Sequence, residues 1–279
     1  MKSNKGGIKS WRTPTLFRRA LDAKNEDAYW NYVRELHARG NSETFETSKD
    51  LCKHSKIRCR RLGADVLAQL GFNSEFPFRK QSISILHNML KEENSPTVLY
   101  SILTALGHYQ EKENSSGIKR IADFRHHKSK DVRSGVVFAL LSRVDRISVS
   151  TLIHLSRDPA VEVRDWATFG LGSNIELDTP AIRKALVARL DDSDGDTQAE
   201  AMVGLARRKD PRIRNLLIKE LEREDAGTLI FEAAEELGDK TLLPYINRHL
   251  ESAGQVTGGS WLLYVRAARD ALAKPNKKK

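Results

Sequence analysis

Residues 156–172 read SRDPAVEVRDWATFGLG. Asp158-Pro159 reads as a helix N-cap followed by proline at the first helical position, where a missing N–H costs nothing. Apolar and small residues then recur at helical spacing and close on Leu171-Gly172, with glycine where a helix C-terminus takes a left-handed residue. Further segments stack on this one: LGADVLAQLG (62–71), VLYSILTALG (98–107), VRSGVVFALL (132–141), TQAEAMVGLA (197–206) and LIFEAAEELG (229–238). Each ends in a leucine followed by Gly, Leu or Ala, at Leu70, Leu106, Leu140, Leu171, Leu205 and Leu237, with a looser copy ending at Leu272. The intervals of 36, 34, 31, 34, 32 and 35 residues give a period of about 34, the signature of a repeat array.

Each period holds a second amphipathic helix, as in Ile83-Leu86-Leu90, Ile118-Ile121-Phe124, Ile182-Leu186-Leu190 and Ile213-Leu217-Leu221. Spacings of three and four put those side chains on one stripe. Ser95-Pro96, Thr179-Pro180 and Asp210-Pro211 repeat the Asp158-Pro159 punctuation, and Gly71, Gly107 and Gly238 match the position of Gly172 as helix C-caps. No window alternates with period two. A helix pair of this length exposes an apolar face that it cannot bury alone, so neighbours must stack. The prediction is an all-α, right-handed α-solenoid of about seven helical hairpins over residues 42–273. Residues 1–12 form a basic flexible tail, 13–41 capping helices around Trp30, Val33 and Leu36, and 274–279 a Lys-rich tail.

Composition sets the bounds. The 279 residues carry a formal charge of +10, with 39% hydrophobic and 30% charged residues, which is too apolar for a disordered chain and too charged for a membrane protein. No apolar run approaches the roughly 18 residues of a spanning helix, and the basic start MKSNKGGIKSWRTPTLFRRA lacks an apolar signal core. A cytoplasmic location without membrane contact is the expectation. Cys52 and Cys59 are too few for a disulfide framework and read as packing residues.

The copy at 156–172 resembles the HEAT-repeat family, particularly its bacterial HEAT-like branch, also seen in phycobilisome lyases. HEAT repeats carry an Asp and an Arg six residues apart that build an inter-repeat hydrogen-bond ladder, and Asp158 and Arg164 match that spacing. Asp192 is instead followed by Gln198, and Arg133 has His127 at the acidic position, which implies an incomplete ladder. The resemblance covers about residues 42–273 and is strongest at 130–240. It implies a non-enzymatic scaffold or adaptor whose concave second-helix face binds a macromolecule, most simply a protein. Arg133, Arg164, Asp165, Trp166 and Gln198 are the candidate contacts there, with Glu232 beside them. The lyase-type branch implies an accessory, lyase-like role as an alternative.

No chemistry competes with that expectation. The eight histidines form no HxxxH, and no His-Glu dipeptide occurs, the motif by which HEAT-repeat deoxyhypusine hydroxylases hold iron. His126-His127 lies in a basic turn, RHHKSK. The run Asp191-Asp192-Ser193-Asp194-Gly195-Asp196 has Met202 where an EF-hand needs its twelfth-position Glu, and reads as a polar turn. GxxxxGK, GxSxG and GxGxxG are all absent. No catalytic, cofactor-binding or metal-binding residue is assigned, and no cofactor is expected.

The charge is uneven. Residues 1–150 sum to +11, and residues 151–273 to −5. Basic clusters fall near the turns: residues 53–61, residues 120–133 and Arg207-Arg208-Lys209-Arg212-Arg214. Arg58, Arg60, Arg61, Arg125, Lys128 and Lys130 are the candidate anion contacts, and nucleic acid through the basic half is the alternative partner. Its extreme form follows HEAT-like alkylpurine DNA glycosylases, for which Arg164-Asp165-Trp166 is the place where cation, carboxylate and indole coincide on one second helix. A continuous positive stripe on that face would point to nucleic acid. A mixed patch with exposed aromatics would point to protein.

Overall fold

A helix pair of this kind needs an N-cap donor sink, a turn and a facing apolar stripe, and the chain supplies them repeatedly. The computed structural model describes residues 7–109, 115–252 and 259–274. Most of the basic N-terminal tail (residues 1–6) and of the Lys-rich tail (residues 275–279) lies outside the described residues. Among them the chain is all-α, without a strand, and falls into two compact units, residues 1–141 and 142–279.

The first unit holds α1 (Thr13–Asp22), α2 (Glu26–Arg39), α3 (Ser42–Leu51), α4 (Ile57–Ala68), α5 (Arg79–Glu92), α6 (Pro96–Tyr109), α7 (Ser115–Asp123) and α8 (Lys130–Leu140). The second holds α9 (Arg146–Leu155), α10 (Val161–Gly172), α11 (Pro180–Val187), α12 (Gly195–Arg207), α13 (Arg214–Leu221), α14 (Thr228–Leu237), α15 (Leu243–Ser252) and α16 (Ser260–Ala273). From α3 onward consecutive helices pair into seven hairpins. The second helices stack on one another, α4 on α6 on α8 in the first unit and α10 on α12 on α14 on α16 in the second. This is the α-solenoid plan. The helices α1 and α2 pack on each other and on α4, burying Leu16, Phe17, Tyr29, Val33 and Leu36.

Side-chain caps start the helices. Asn25, Asn41, Asp145, Thr179 and Asp194 each accept a backbone N–H from the first turn of α2, α3, α9, α11 and α12. Asp210 does so for the short 3-10 turn before α13. Asp158-Pro159 departs from the expected cap. Helix α10 begins two residues later, at Val161, and the Asp158 carboxylate instead accepts the Ala160 N–H in a turn ahead of it.

Two of the four glycines expected as left-handed caps have that conformation: Gly71, beyond α4, and Gly238, which ends α14. Gly107 and Gly172 are helical, and they are small because the next repeat presses on them. A Cβ on Gly107 would lie 2.6 Å from the Phe138 ring, and one on Gly204 would lie 2.5 Å from the Gly172 Cα. The repeat count also slips at its first step. Leu70 is buried but lies past the end of α4. Arg60, three residues after the start of α4, occupies the place that Arg133 and Arg164 hold in α8 and α10, which makes Leu67 the counterpart of Leu140 and Leu171.

Candidate functional site

The ladder arginines decide which charges remain for a partner. In α10 the Arg164 guanidinium donates from Nη1 to the Asp158 carbonyl at 2.8 Å. From Nε and Nη2 it donates to the two Asp192 oxygens at 2.8 and 2.9 Å. The partner carboxylate therefore lies one repeat on, and the rung is bidentate. Burial works against the Asp192 carboxylate, but hydrogen bonds from Arg164 and the Asp194 N–H hold it below the usual carboxylate range. In α4 the Arg60 guanidinium repeats this geometry. It donates to the His54 carbonyl at 3.0 Å and to both Glu93 oxygens at 2.6 and 3.1 Å. Arg133 donates to the carbonyls of His127 and Lys128. Gln198, which stands in place of an arginine, donates its amide to the Leu190 carbonyl.

Most of the candidate anion contacts are engaged in the same way. Arg58 donates to the Ala23 carbonyl beyond α1 at 2.5 Å, and Arg125 to the Ala122 carbonyl at 3.0 Å. Arg61 grips Glu26 with two bonds of 2.9 and 2.6 Å and lies 4.5 Å from the Tyr29 ring centroid. It also reaches Asp65 at 3.3 Å. Lys128 and Lys130 are exposed.

The cluster Arg207-Arg208-Lys209-Arg212-Arg214 is likewise internal. Arg207 pairs with Glu232 and Glu236, Arg212 with Asp210, and Arg214 with Asp239, while Lys209 donates to the Glu236 carbonyl. Arg208 is only 8% exposed and donates to the carbonyls of Leu171, Gly172, Ile175, Leu177 and Gly204. It closes the orphan carbonyls at the end of α10, which is why the sequence holds a cation there.

Two further sites stand out, of which the sequence reading missed the first and named residues of the second. The first is the buried Asp65, 4% exposed, which accepts from the Tyr29 hydroxyl at 2.7 Å, from Arg61 and from Ser101, while its carbonyl bonds His37 Nε2 at 2.8 Å. Burial pushes its carboxyl above the usual range despite those donors, and pushes His37 down to about 4. The i,i+4 spacing of Arg61 and Asp65 inside an apolar stretch was the available signal.

The second lies around Trp166. Its indole is 49% exposed and meets Phe169 edge-on, with centroids 5.5 Å apart at 84°. Beside it Asp165 is half-buried, and its Oδ1 is enclosed without a donor among the described residues. Burial, reinforced by the nearby carboxylates of Asp194 and Asp196, pushes Asp165 up to about 6. Glu200 on α12 is also pushed up by burial. Asp165 and Glu232 add to that, while the Ser173 hydroxyl, 2.9 Å away, opposes it. Of the five candidate partner contacts, Arg133, Arg164 and Gln198 are thus held by the ladder and its loops. Asp165 and Trp166 stand together on an open face.

Among the described residues no group of three or more His, Cys, Asp or Glu side chains is arranged to hold a metal ion, and no helix is long and apolar enough to cross a membrane. No established family model matches the sequence. The chain is 30% identical over 235 residues to protein YibA of Escherichia coli K12, covering 83% of both proteins, and equally so to YibA of strain O157:H7. It superposes on the crystal structure of E. coli YibA with a TM-score of 0.75 at 27% identity, covering 99% of this chain and 100% of that one. An engineered protein shares the fold at a TM-score of 0.52 and 16% identity, over 93% of this chain and 78% of its own. The CpcE–CpcF complex of phycocyanin lyase from Nostoc sp. PCC7120 matches at a TM-score of 0.46 and 13% identity, too remotely to transfer function or partner. At 30% identity over 83% of both proteins, this chain belongs to the family of protein YibA.

Proposed function

We propose that the chain is a non-enzymatic, cytoplasmic repeat scaffold that binds a protein partner on the second-helix face of its C-terminal unit. The observation that supports this reading most is the exposed Trp166 indole on α10, next in the helix to the half-buried Asp165 carboxylate, which feels Asp194 and Asp196. Arginines that suggested a phosphate-tracking stripe are committed to carbonyls and carboxylates of the chain itself. What remains on this face is a mixed acidic and aromatic patch, which favours a protein surface over a phosphate backbone.

The second reading, nucleic acid on the N-terminal unit, draws on the exposed Lys53, Lys56, Lys128 and Lys130 and on the +11 charge of residues 1–150. One experiment separates the two. Gel retardation with DNA and RNA at about 50 mM salt, where counterion release favours any phosphate binder, is expected to show no shift. Affinity capture at about 150 mM salt is expected to recover a protein that the Trp166→Ala variant no longer retains. A retarded complex that disappears steeply with salt, together with empty capture, would reverse the assignment.

A further inference from the structure

The face around Trp166 has a second property besides exposure: burial and neighbouring carboxylates outweigh the chain's own cations there, although Arg164 acts on Asp165 and Arg207 on Glu200. Arg164 and Arg189 both bond Asp192, and Arg207 pairs with Glu232 and Glu236. Asp165, Asp196 and Glu200 are left without an ion pair among the described residues, and Asp194 serves as the α12 cap through the Thr197 N–H and hydroxyl. The repulsion is felt across the patch, since Asp165 is raised by Asp194 and Asp196, and Glu200 by Asp165. Like charges crowded beside one half-buried, donor-free carboxylate oxygen are a local cost, and a cation arriving from outside would relieve it.

Resting on the reading of this face as a protein-binding surface, we propose that the Asp165-Trp166-Glu200 patch is a docking site for a lysine- or arginine-bearing segment of a partner protein. One cation of that segment packs on the exposed part of the Trp166 indole, and its neighbours pair with Asp165, Asp196 and Glu200. Two independent features carry the choice of occupant. The carboxylates specify positive charge, and the open aromatic surface specifies a cation with an apolar stem, because indole is the strongest aromatic partner for an ammonium or guanidinium group. A simple inorganic cation would use the carboxylates and leave the indole idle. An apolar partner would leave the carboxylates buried and unpaired.

The test uses the full chain and a fluorescently labelled octalysine peptide, with binding read by anisotropy at about 50 and 150 mM salt. The expected result is saturable binding that weakens about tenfold in Trp166→Ala, the loss of one partly desolvated cation–π contact. Glu200→Gln, which keeps the side-chain shape, is expected to weaken it about threefold, and circular dichroism should show both variants folded like the parent. If the parent binds but neither substitution matters, the site is wrong while the chain remains a binder of basic protein. If the parent ignores octalysine yet captures a protein through Trp166, the patch takes another class of partner and the charge argument falls. If sedimentation shows a dimer that Trp166→Ala dissociates, the occupant is a second copy of this chain and the proposal is overturned. Absence of peptide binding together with retardation of DNA would overturn the underlying reading as well.

Discussion

In the unit ending at Leu141 the most deeply buried charged side chain is a carboxylate, Asp65; in the unit beginning at Ser142 both Arg208 and Asp210 are buried, and the guanidinium is the more elaborately bonded. Asp65 sits among donors: a tyrosine hydroxyl, a serine hydroxyl and a guanidinium. Arg208 sits among five carbonyls, with the nearest carboxylate, Asp178, at the edge of contact at 3.9 Å. The first arrangement ties α2, α4 and α6 together through a side-chain network. The second closes the end of one helix and the loop after it. Buried charge in a repeat stack therefore follows the local supply of partners, and its sign reflects what the neighbouring backbone leaves unsatisfied.

The sharpest way to break that contrast is Arg208→Met. Methionine fills similar space but strands the carbonyls of Leu171, Gly172, Ile175, Leu177 and Gly204 away from water. A loss of about 3 kcal/mol is expected, at the upper end for a point substitution, read from the urea midpoint. Arg208→Lys should recover little, because a single ammonium cannot reproduce the five-donor planar fork. A loss under about 1 kcal/mol would show that solvent reaches those carbonyls and that the arginine is a surface residue after all.

Tyr29→Phe probes the opposite unit at smaller cost. It removes one of three donors to Asp65 while keeping the ring under Arg61, so about 1.5 kcal/mol is expected by chemical denaturation. The remaining donors, Arg61 and Ser101, keep the carboxylate from being abandoned outright. An unchanged midpoint would mean that the Asp65 network is redundant, and the comparison with Arg208 would lose its force.

These two sites also show where sequence reading works and where it stops. The 34-residue period, the hairpins and the seven-fold count follow from apolar spacing and Pro punctuation, because those patterns are local. Leu70 was a wrong landmark, since LAQLG offers two leucines three apart and only the helix end at Ala68 chooses Leu67. Gly107 and Gly172 looked like caps because glycine followed leucine, although what they serve is the close approach of the next repeat. Arg207-Arg208-Lys209 reads as one basic cluster, yet Arg208 caps α10 from a distance of more than 30 residues. Trp166 was legible as a candidate. Its exposure was not, because helical spacing allows an indole at that position to face either the next repeat or solvent.

The smallest effect tests whether the Asp165 patch carries the excess negative charge ascribed to it. An exposed aspartate titrates near 3.9 when the chain is unfolded, whereas the folded Asp165 is pushed up to about 6 by burial and by its acidic neighbours. Between those values the folded chain binds more protons than the unfolded one, so this group's contribution to stability declines as pH rises through the window. Below about pH 4 the carboxyl is protonated in both states and the penalty is absent; above about pH 6 it is fully present. Because Asp165 is half-exposed, solvent screening reduces that penalty to about 1 kcal/mol. Asp165→Asn should therefore raise the melting temperature by a few degrees at pH 7.5 and leave it unchanged at pH 4. An equal shift at both pH values would trace the effect to packing instead of charge. Saturating octalysine should abolish the pH 7.5 advantage of the asparagine variant, since a bound cation removes the repulsion that the substitution removes.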